Sequence, residues 1–329
     1  MTRSIRFISL SVLTAVLLPL SACGGGGHSS AEKYFLVATN TKIPYWQEAS
    51  AGLLKSATEL GVQAEMVGPD SFDPKAEKEE FRKAVAKKPA GILVSPGDPD
   101  LLSEDINSAV AAGIPVITID SDAPKSKRLL FVGTNNHDAG IVGGRQLAKR
   151  LNGKGNVIIF TIAGQINLEE RLGGYKEALV AYPGVKIVEV VDMKGDPRLV
   201  FDKMMEIVEK QKEKADAFAG LEAQSGSEIA EVLDRKKVEG KIVVAMDTTA
   251  STLGWIEKGK IEFTISQKPF TMTHYGLRIL ADIKEYKLPS LTANFTQDSH
   301  SPLPVFVDTG LALVDKNNLA EYRQTSASK

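Results

Sequence analysis

The sequence predicts an α/β fold with two lobes, each built around a doubly wound parallel sheet. Two short β-branched runs, 116–119 and 242–246, have the composition of strands that are buried on both faces. Each run stops at a carboxylate, Asp120 in the first case and Asp247 in the second. Ligands of open α/β sheets bind outside the carboxyl ends of the strands, so the two acids predict two lobes that face one cleft.

Length, composition and charge fit this fold class. The chain has 329 residues, more than one core usually holds, and 43% of them are hydrophobic and 6% aromatic. The 40 basic and 41 acidic residues leave a formal net charge of −1. This balance, without any basic stretch that carries interleaved aromatic residues, argues against nucleic acid as a partner.

The N-terminus has the pattern of a processing segment. Two arginines precede an apolar run, 8–18, which is too short to span a bilayer. Leu20-Ser-Ala-Cys23 then matches a bacterial lipobox, which predicts a lipoprotein signal peptide over 1–22 and a lipid anchor on Cys23. An ordinary signal cut nearby is the alternative. Cys23 is the single cysteine, which excludes an intramolecular disulfide, and residues 23–32 are predicted to form a lipid-anchored, Gly/Ser-rich flexible tether.

The first half of the remaining chain alternates strand and helix patterns, which predicts βαβ units. Apolar residues recur at helical spacing from 47 to 60, and Gly61 provides a stop, whereas residues 40–46 are predicted to form a loop. Asp73 and Pro74 have the pattern of an N-cap and a first helical turn. The predicted strands are 34–39, 63–67, 91–95, 116–119 and 128–133, and the predicted helices are 47–60, 73–87 and 100–112.

The alternation restarts after residue 133, which predicts the second lobe. Pro183 and Gly184 close one of its helices, and the helix from Pro197 is strongly charged on its outer face. The predicted helices are 139–151, 167–182, 197–212, 225–236, 252–258 and 271–284, and the predicted strands are 155–161, 185–191, 216–219, 242–246, 261–266 and 303–308.

Signatures of catalysis and of cofactor binding are absent from the sequence. It holds neither a G-x-S-x-G elbow nor a G-x-x-x-x-G-K-[ST] loop, and Gly153-Lys-Gly155 precedes a strand rather than opening a helix. The histidines are scattered, and none has zinc-ligand spacing; His137, near the predicted lobe crossing, is either a site residue or a solvated turn residue. Asp120 and Asp247 could form an acid/base pair, but without a nucleophile or a phosphate cradle we predict no enzyme, no cofactor and no metal.

Chemistry that suits a neutral polyol is present. The hydroxyls of a sugar both donate and accept hydrogen bonds, and carboxylates, amides and guanidinium groups supply the partners. Aromatic faces cover the C–H face of a sugar ring. Asp120, Asp247 and Gln267 follow strands, and Tyr45 and Trp46 follow the first strand. In the structural alternatives, the two acids cap helices and Trp46 is a core residue.

Seven segments in order give the chain a resemblance to a known family. They are Pro44-Tyr-Trp46, Pro115-Val-Ile-Thr-Ile-Asp-Ser-Asp122, Val132-Gly-Thr-Asn-Asn136, Arg171-Leu-Gly-Gly-Tyr175, Val243-Val-Ala-Met-Asp247, Thr264-Ile-Ser-Gln267 and Val307-Asp-Thr-Gly310. Over nearly all of the chain after the processing segment, the sequence resembles type I periplasmic sugar-binding proteins, the ribose-binding-like solute receptors of ABC transporters.

The resemblance implies roles for individual residues. Tyr45 and Trp46 match paired aromatics that stack on the sugar, and Asp120 matches an acid that binds ring hydroxyls. Arg171 matches an arginine that donates to ligand oxygens, although a surface salt bridge is its structural alternative. The matched polar pair of the second lobe is Asp247 and Gln267.

Four departures from the family pattern put ribose itself in doubt. Ile43 replaces an asparagine and Ser121 an arginine, Leu221-Glu222 replaces an asparagine-aspartate pair, and Gly195-Asp196 replaces an expected aromatic. Asn136 matches a family asparagine that either holds the first crossing or touches ligand, and Lys42 is either a ligand or a solvated loop lysine. The secondary ligand candidates are Asn40, Lys42, Ser121, Asn136 and Glu222.

The architecture that the resemblance implies has three crossover strands, near Gly133, Gln267 and Asn294. Lobe 1 then comprises 33–133 and 268–294, and lobe 2 comprises 134–267 and 295–329. The implied protein is an extracytoplasmic, membrane-anchored monomer that captures a sugar or polyol and delivers it to an ABC permease with a cytoplasmic ATPase. A ligand-sensing receptor that feeds a chemotaxis or histidine-kinase partner is the alternative. A repressor of related fold is disfavoured because it would begin with a helix-turn-helix instead of an export signal.

Overall fold

The computed structural model describes residues 27–286, 288, 289 and 294–327. The predicted signal peptide and Cys23 lie outside these residues. Within them, no helix is both long enough and apolar enough to cross a bilayer.

The elements of the first part of the chain alternate as the sequence predicts. Their bounds are β1 Lys33–Val37, α1 Pro44–Leu60, β2 Gln63–Val67, α2 Pro74–Ala86, β3 Gly91–Val94, α3 Pro99–Ala111, β4 Val116–Ile119 and β5 Phe131–Gly133.

The second part continues the alternation and adds two elements that no prediction covers, β12 and α10. The bounds are α4 Asn136–Arg150, β6 Lys154–Thr161, α5 Ile166–Val180, β7 Gly184–Asp192, α6 Pro197–Lys210, a 3-10 turn Lys212–Lys214, β8 Ala217–Gly220, α7 Ser225–Arg235, β9 Ile242–Met246, α8 Ala250–Glu257, β10 Phe263–Ser266, α9 Pro269–Glu285, β11 Phe306–Asp308, β12 Ala312–Asp315 and α10 Leu319–Ala327.

The strands form two six-stranded sheets, which confirms the predicted fold class. The order is β11-β5-β4-β3-β1-β2 in the sheet of lobe 1 and β12-β10-β9-β8-β6-β7 in that of lobe 2. All pairs in the first sheet are parallel. In the second, only β12 runs antiparallel, along β10. β3 and β4 are fully buried, as their apolar, β-branched runs predict.

The chain passes between the sheets three times, and one passage differs from its prediction. The first two follow β5 at Gly133 and β10 at Gln267, and the third lies between β11 and β12. The prediction of a third passage near Asn294 is wrong, because residues 306–308 pair in parallel with 131–133 in lobe 1. The Phe306 ring stacks on the Phe131 ring at 5.1 Å, a partner that local sequence does not reveal.

Helix α1 begins three residues earlier than predicted. Ile43 is extended, at φ −77° and ψ 149°, and Pro44 occupies the first turn, where its missing N–H costs no hydrogen bond. Tyr45 and Trp46 therefore lie on the first helical turn instead of in a loop. The predicted cap of α2 is confirmed, since the Asp73 side chain accepts from the N–H groups of Lys75 and Ala76.

The end of the predicted tether is packed on lobe 1. The Gln63 amide donates to the Ser30 carbonyl at 2.8 Å, and the Gln63 N–H donates to the Glu32 carbonyl at 2.9 Å. The His28 ring lies 3.4 Å from the Glu32 carboxylate. Residues 28–32 are thus part of the folded lobe, because they form hydrogen bonds with β2. A Gly/Ser-rich composition does not predict such contacts.

Helices α4 and α5 pack backbone to backbone through glycines. A Cβ on Gly140 would lie 2.1 Å from the Arg171 carbonyl oxygen, and one on Gly174 would lie 2.1 Å from the His137 carbonyl oxygen. Only glycine allows this approach. The contact sets the position of the backbone that carries Arg171.

We expect Gly140→Ala to destabilise the protein by about 1–3 kcal/mol or more, because the added methyl forces α4 and α5 apart. Gly254→Ala is the matched control: the position is helical, and a Cβ there would meet no atom within 4 Å. Alanine is the better helix former, so the control should gain roughly 0.5–1 kcal/mol. Urea unfolding measures both changes, and equal effects of the two substitutions would contradict the close-packing account.

Candidate functional site

A cavity lies between the two lobes at the carboxyl ends of their strands. It encloses about 520 Å³ of space not occupied by protein atoms, part of which is open to solvent. All six main candidates from the sequence line it: Tyr45, Trp46, Asp120, Arg171, Asp247 and Gln267. Each of the six is at most 7% exposed. The fold thus brings together residues that are separated by more than 200 positions in the chain.

The two acids that terminate β4 and β9 share an uncommon backbone conformation. Asp120 has φ 60° and Asp247 has φ 64°, in the left-handed region that aspartate tolerates better than most residues. Neither acts as a helix cap. Thr249 caps α8, its hydroxyl accepting from the Thr252 N–H, and β4 is followed by a loop. The left-handed turn instead places each carboxylate at the cavity.

Asp120 accepts hydrogen bonds from both lobes. The Tyr45 hydroxyl donates to one carboxylate oxygen at 2.6 Å, and the Ser95 hydroxyl donates to the other at 3.2 Å. From lobe 2, the Asn167 amide donates to the second oxygen at 3.4 Å. Asp120 therefore links α1, the loop after β3 and the first turn of α5.

Arg171 is the centre of the lobe 2 wall. Its Nε donates to the Asn136 side chain at 2.9 Å, and one terminal nitrogen donates to the Leu221 carbonyl at 2.8 Å. The other terminal nitrogen donates to Gln267 Oε1 at 2.8 Å. The Gln267 amide in turn donates to Asp247 at 3.1 Å. A guanidinium has five N–H donors, and these contacts use three of them.

The aromatic candidates form one corner of the cavity. The rings of Tyr45 and Trp46 lie 5.2 Å apart at 83°, in an edge-to-face arrangement. The Trp46 indole donates to the Thr39 hydroxyl at 3.1 Å. Both residues also belong to the core of lobe 1. Trp46 is therefore both a core residue of lobe 1 and a residue of the cavity wall, since one edge of the Tyr45–Trp46 pair faces the cavity.

Burial is the largest cause of the shifted pKa values in the site. It raises the pKa of Asp247 to about 7, against the opposing charge of Arg171, while the nearby Asp120 and Glu222 carboxylates raise it further. Burial also raises the pKa of Asp120, although Arg171 and the hydroxyls of Tyr45 and Ser95 favour its charged form. The pKa of the Tyr45 hydroxyl is well above its ordinary value, first through burial and then through the charge of Asp120.

The secondary candidates separate into three groups. Asn40 and Glu222 line the cavity, but the Glu222 oxygens accept from the N–H groups of Gln224 and Ser225 at 2.8 and 2.6 Å, next to the start of α7. Asn136 lies outside the lining and holds Arg171. Lys42 and Ser121 also lie outside it: the exposed Lys42 amino group pairs with the Asp70 carboxylate at 3.3 Å, and Ser121 is fully buried.

The lining residues that are absent from the sequence-based set include Gln165, Asn167 and Phe72. Gln165 and Asn167 flank the start of α5, where a predicted helix N-terminus after a predicted strand could have suggested them. Phe72 lies between β2 and α2, and its Asp-Ser-Phe-Asp-Pro context indicates only a turn.

In the part of the chain that the structure covers, no group of three or more His, Cys, Asp or Glu side chains is placed to hold a metal ion. His137, the histidine nearest the first passage between the sheets, lies on α4, half exposed, with its ring 3.3 Å from the Glu177 carboxylate. It is not among the residues that line the cavity.

The amino-acid sequence matches a family of known binding proteins. The profile of the family described as "Periplasmic binding protein domain" matches residues 34–287. The chain is 26% identical over 290 residues to the ribose import binding protein RbsB of Haemophilus influenzae, covering 82% of this chain and 90% of the relative. It is 22% identical over 295 residues to the D-allose-binding periplasmic protein of Escherichia coli, covering 87% and 93%.

Solved structures agree with the sequence comparison. An ABC transporter solute-binding protein from Burkholderia graminis, crystallised with D-arabinose, superposes with a TM-score of 0.81 at 25% identity, covering 90% of this chain and 99% of that one. AraP, an arabinose-binding protein from Geobacillus stearothermophilus, superposes with a TM-score of 0.72 at 30% identity, covering 88% and 99%.

The raised pKa of Asp247 predicts a pH-dependent stability. The folded protein holds a proton on this carboxyl that the unfolded chain releases between its ordinary pKa of 3.8 and the folded value of about 7. The free energy of unfolding therefore contains a contribution that is lost as pH rises through this window, by at most about 1.4 kcal/mol per pH unit. Asp247→Asn cannot ionise and lacks this contribution.

Urea unfolding at pH 4.5 and pH 7.5 tests the prediction. The free energy of unfolding of Asp247→Asn, relative to wild type, should be higher at pH 7.5 than at pH 4.5. Asp202→Asn, at an exposed position on α6, is the control and should show no such change. If the free energy of unfolding of Asp247→Asn relative to wild type is the same at both pH values, the pKa of the buried Asp247 carboxyl is not raised in the folded protein.

Proposed function

The chain belongs to the periplasmic binding protein family, and we propose that it captures a sugar or polyol of the pentose or hexose class between its lobes and delivers it to an ABC permease. The relatives named for ribose and D-allose import or binding support the ligand class. The permease, with its cytoplasmic ATPase, supplies the energy for uptake. The binding protein itself acts as a non-enzymatic monomer without a cofactor.

Two carboxylates, one from each lobe, lie in one cavity, and this arrangement is the main support for the proposal. Asp120 and Asp247 offer acceptors to ligand hydroxyls, and Arg171 offers N–H donors to ligand oxygens. Tyr45 and Trp46 provide an apolar corner for the C–H face of a ring. A neutral polyol is the ligand class that needs all three kinds of contact at once.

Specificity follows from the burial of these groups. A stereoisomer that turns one hydroxyl away leaves a buried acceptor unpaired, at a cost of about 1–3 kcal/mol. Because Asp120 and Asp247 come from different lobes, a ligand that satisfies both favours the closed arrangement of the lobes. Ligand capture and closure are then the same event.

Lipid anchoring on Cys23 completes the proposal. The lipobox Leu20-Ser-Ala-Cys23 supports it, as does the periplasmic location implied by the family. Because residues 28–32 are packed on lobe 1, the free linker would be short, and the protein would be held close to the membrane.

Thermal melting of the chain from Gly24 onward, against a panel of pentoses, hexoses and inositols, tests the ligand class. A ligand at a hundredfold excess over its dissociation constant should stabilise the folded state by about 2.7 kcal/mol and raise the melting temperature. Asp120→Ala should abolish the shift, because a central acceptor is lost. Lys42→Ala should leave it unchanged, because that lysine pairs with Asp70 outside the cavity. If no member of the panel shifts the melting temperature, the proposed ligand class is wrong.

Metabolic labelling with radioactive palmitate tests the anchor. Cells that express the full chain should label it and retain it in the membrane fraction, because acyl chains on Cys23 partition into lipid. Cys23→Ala should lose both the label and the membrane retention. Equal membrane retention of the unlabelled variant would show that something other than acylation holds the protein there.

A further inference from the structure

Phe72 is a lobe 1 residue that packs on lobe 2. It lies in the loop between β2 and α2, and its ring is packed against the hydrophobic core cluster of lobe 2. It also lines the cavity. Among the described lining residues, the aromatic ones are Tyr45, Trp46 and Phe72, and all three come from lobe 1. Tyr45 and Trp46 remain within the core of their own lobe, whereas Phe72 reaches across the cleft.

The surface that receives Phe72 is a glycine turn. Gly195, between β7 and α6, has φ +72°, and a Cβ there would lie 2.4 Å from Phe72 Cβ and 2.7 Å from Phe72 Cγ. The turn is closed by the Asp196 N–H, which donates to the Met193 carbonyl at 2.9 Å. Glycine is therefore favoured at position 195 for two reasons. The backbone conformation there favours glycine, and Phe72 occupies the space that a side chain would need.

On its own lobe, Phe72 is supported from behind. A Cβ on Gly97, in the loop after β3, would lie 3.1 Å from Phe72 Cε2. The Gly97 N–H donates to the Glu77 carboxylate at 2.9 Å, which fixes this loop against α2. The ring is thus held between a glycine of lobe 1 and a glycine of lobe 2.

We propose that Phe72 and Gly195 form a latch that closes the cleft over a bound ligand and sets how long the ligand stays. This inference rests on the proposed function, since it assigns a role to residues that line the same cavity. The latch buries apolar surface only when the lobes are together, so it adds to the free energy of closure whichever stereoisomer is bound. The carboxylates select the ligand, and the latch retains it.

Stopped-flow kinetics with the sugar that gives the largest melting shift tests the latch on the full chain in detergent. Phe72→Ala should raise the dissociation rate constant about tenfold, equivalent to about 1.4 kcal/mol, and change the association rate constant by less than about threefold. Gly195→Ala should do the same, because its methyl occupies the space of Phe72. Gly240→Ala is the matched control: Gly240 has φ +78°, and a Cβ there would meet no atom within 4 Å, so the variant shares the backbone strain without the collision.

Disulfide trapping tests the contact itself and needs no identified ligand. The full chain with Phe72→Cys and Gly195→Cys should cross-link under mild oxidation, and a bound sugar should accelerate the reaction. The two single-cysteine variants control for pairing with Cys23, and Phe72→Cys with Gly240→Cys controls for random collision. Absence of the 72–195 cross-link overturns the latch, and so does a wild-type dissociation rate in Phe72→Ala. If wild type binds no sugar of the panel, the proposed function fails, while trapping still decides whether the two lobes meet at this point.

Discussion

A single buried guanidinium organises the cavity between the lobes. Arg171 is the one cation among the described residues that line it, and it faces Asp120, Asp247 and Glu222. Its partners hold it in place on three sides, through Asn136, the Leu221 carbonyl and Gln267. An isolated buried charge would be costly, and these contacts make it tolerable. The glycine contact between α4 and α5 fixes the backbone below it, so packing outside the cavity determines geometry inside it.

The two carboxylates, one in each lobe, are positioned in the same way. A parallel sheet delivers a strand end to the cleft, and a left-handed aspartate then turns the side chain into the cavity, at Asp120 and again at Asp247. Their environments differ, however. Asp120 has three protein donors, whereas Asp247 receives a side-chain hydrogen bond from Gln267 alone among the described residues. Asp247 is the less satisfied acceptor, which suits it to a ligand hydroxyl and agrees with its raised pKa.

Sequence predicts the parts of this structure that depend on local pattern. Buried β-branched strands, helix stops, and the acids and Gln267 at the strand ends follow from composition and spacing, and the family resemblance adds Arg171. Contacts between distant segments are not predictable in this way. The partner of residues 306–308 is fixed by a stack on Phe131, and the position of Phe72 is fixed by a glycine more than a hundred residues away. The hydrogen bond from Asn167 to Asp120 crosses the cleft and leaves no local signature in the sequence.

In the proposed function, one ligand bridges the two lobes through Asp120 and Asp247. A crystal structure of the chain grown with its tightest-binding sugar tests this bridging role. We expect ligand density in the cavity, with hydroxyls within hydrogen-bond distance of both carboxylates and of Arg171, and with a ring face against the Tyr45–Trp46 corner. Density that contacts one lobe only, or that lies elsewhere on the molecule, would rule out a ligand that bridges Asp120 and Asp247.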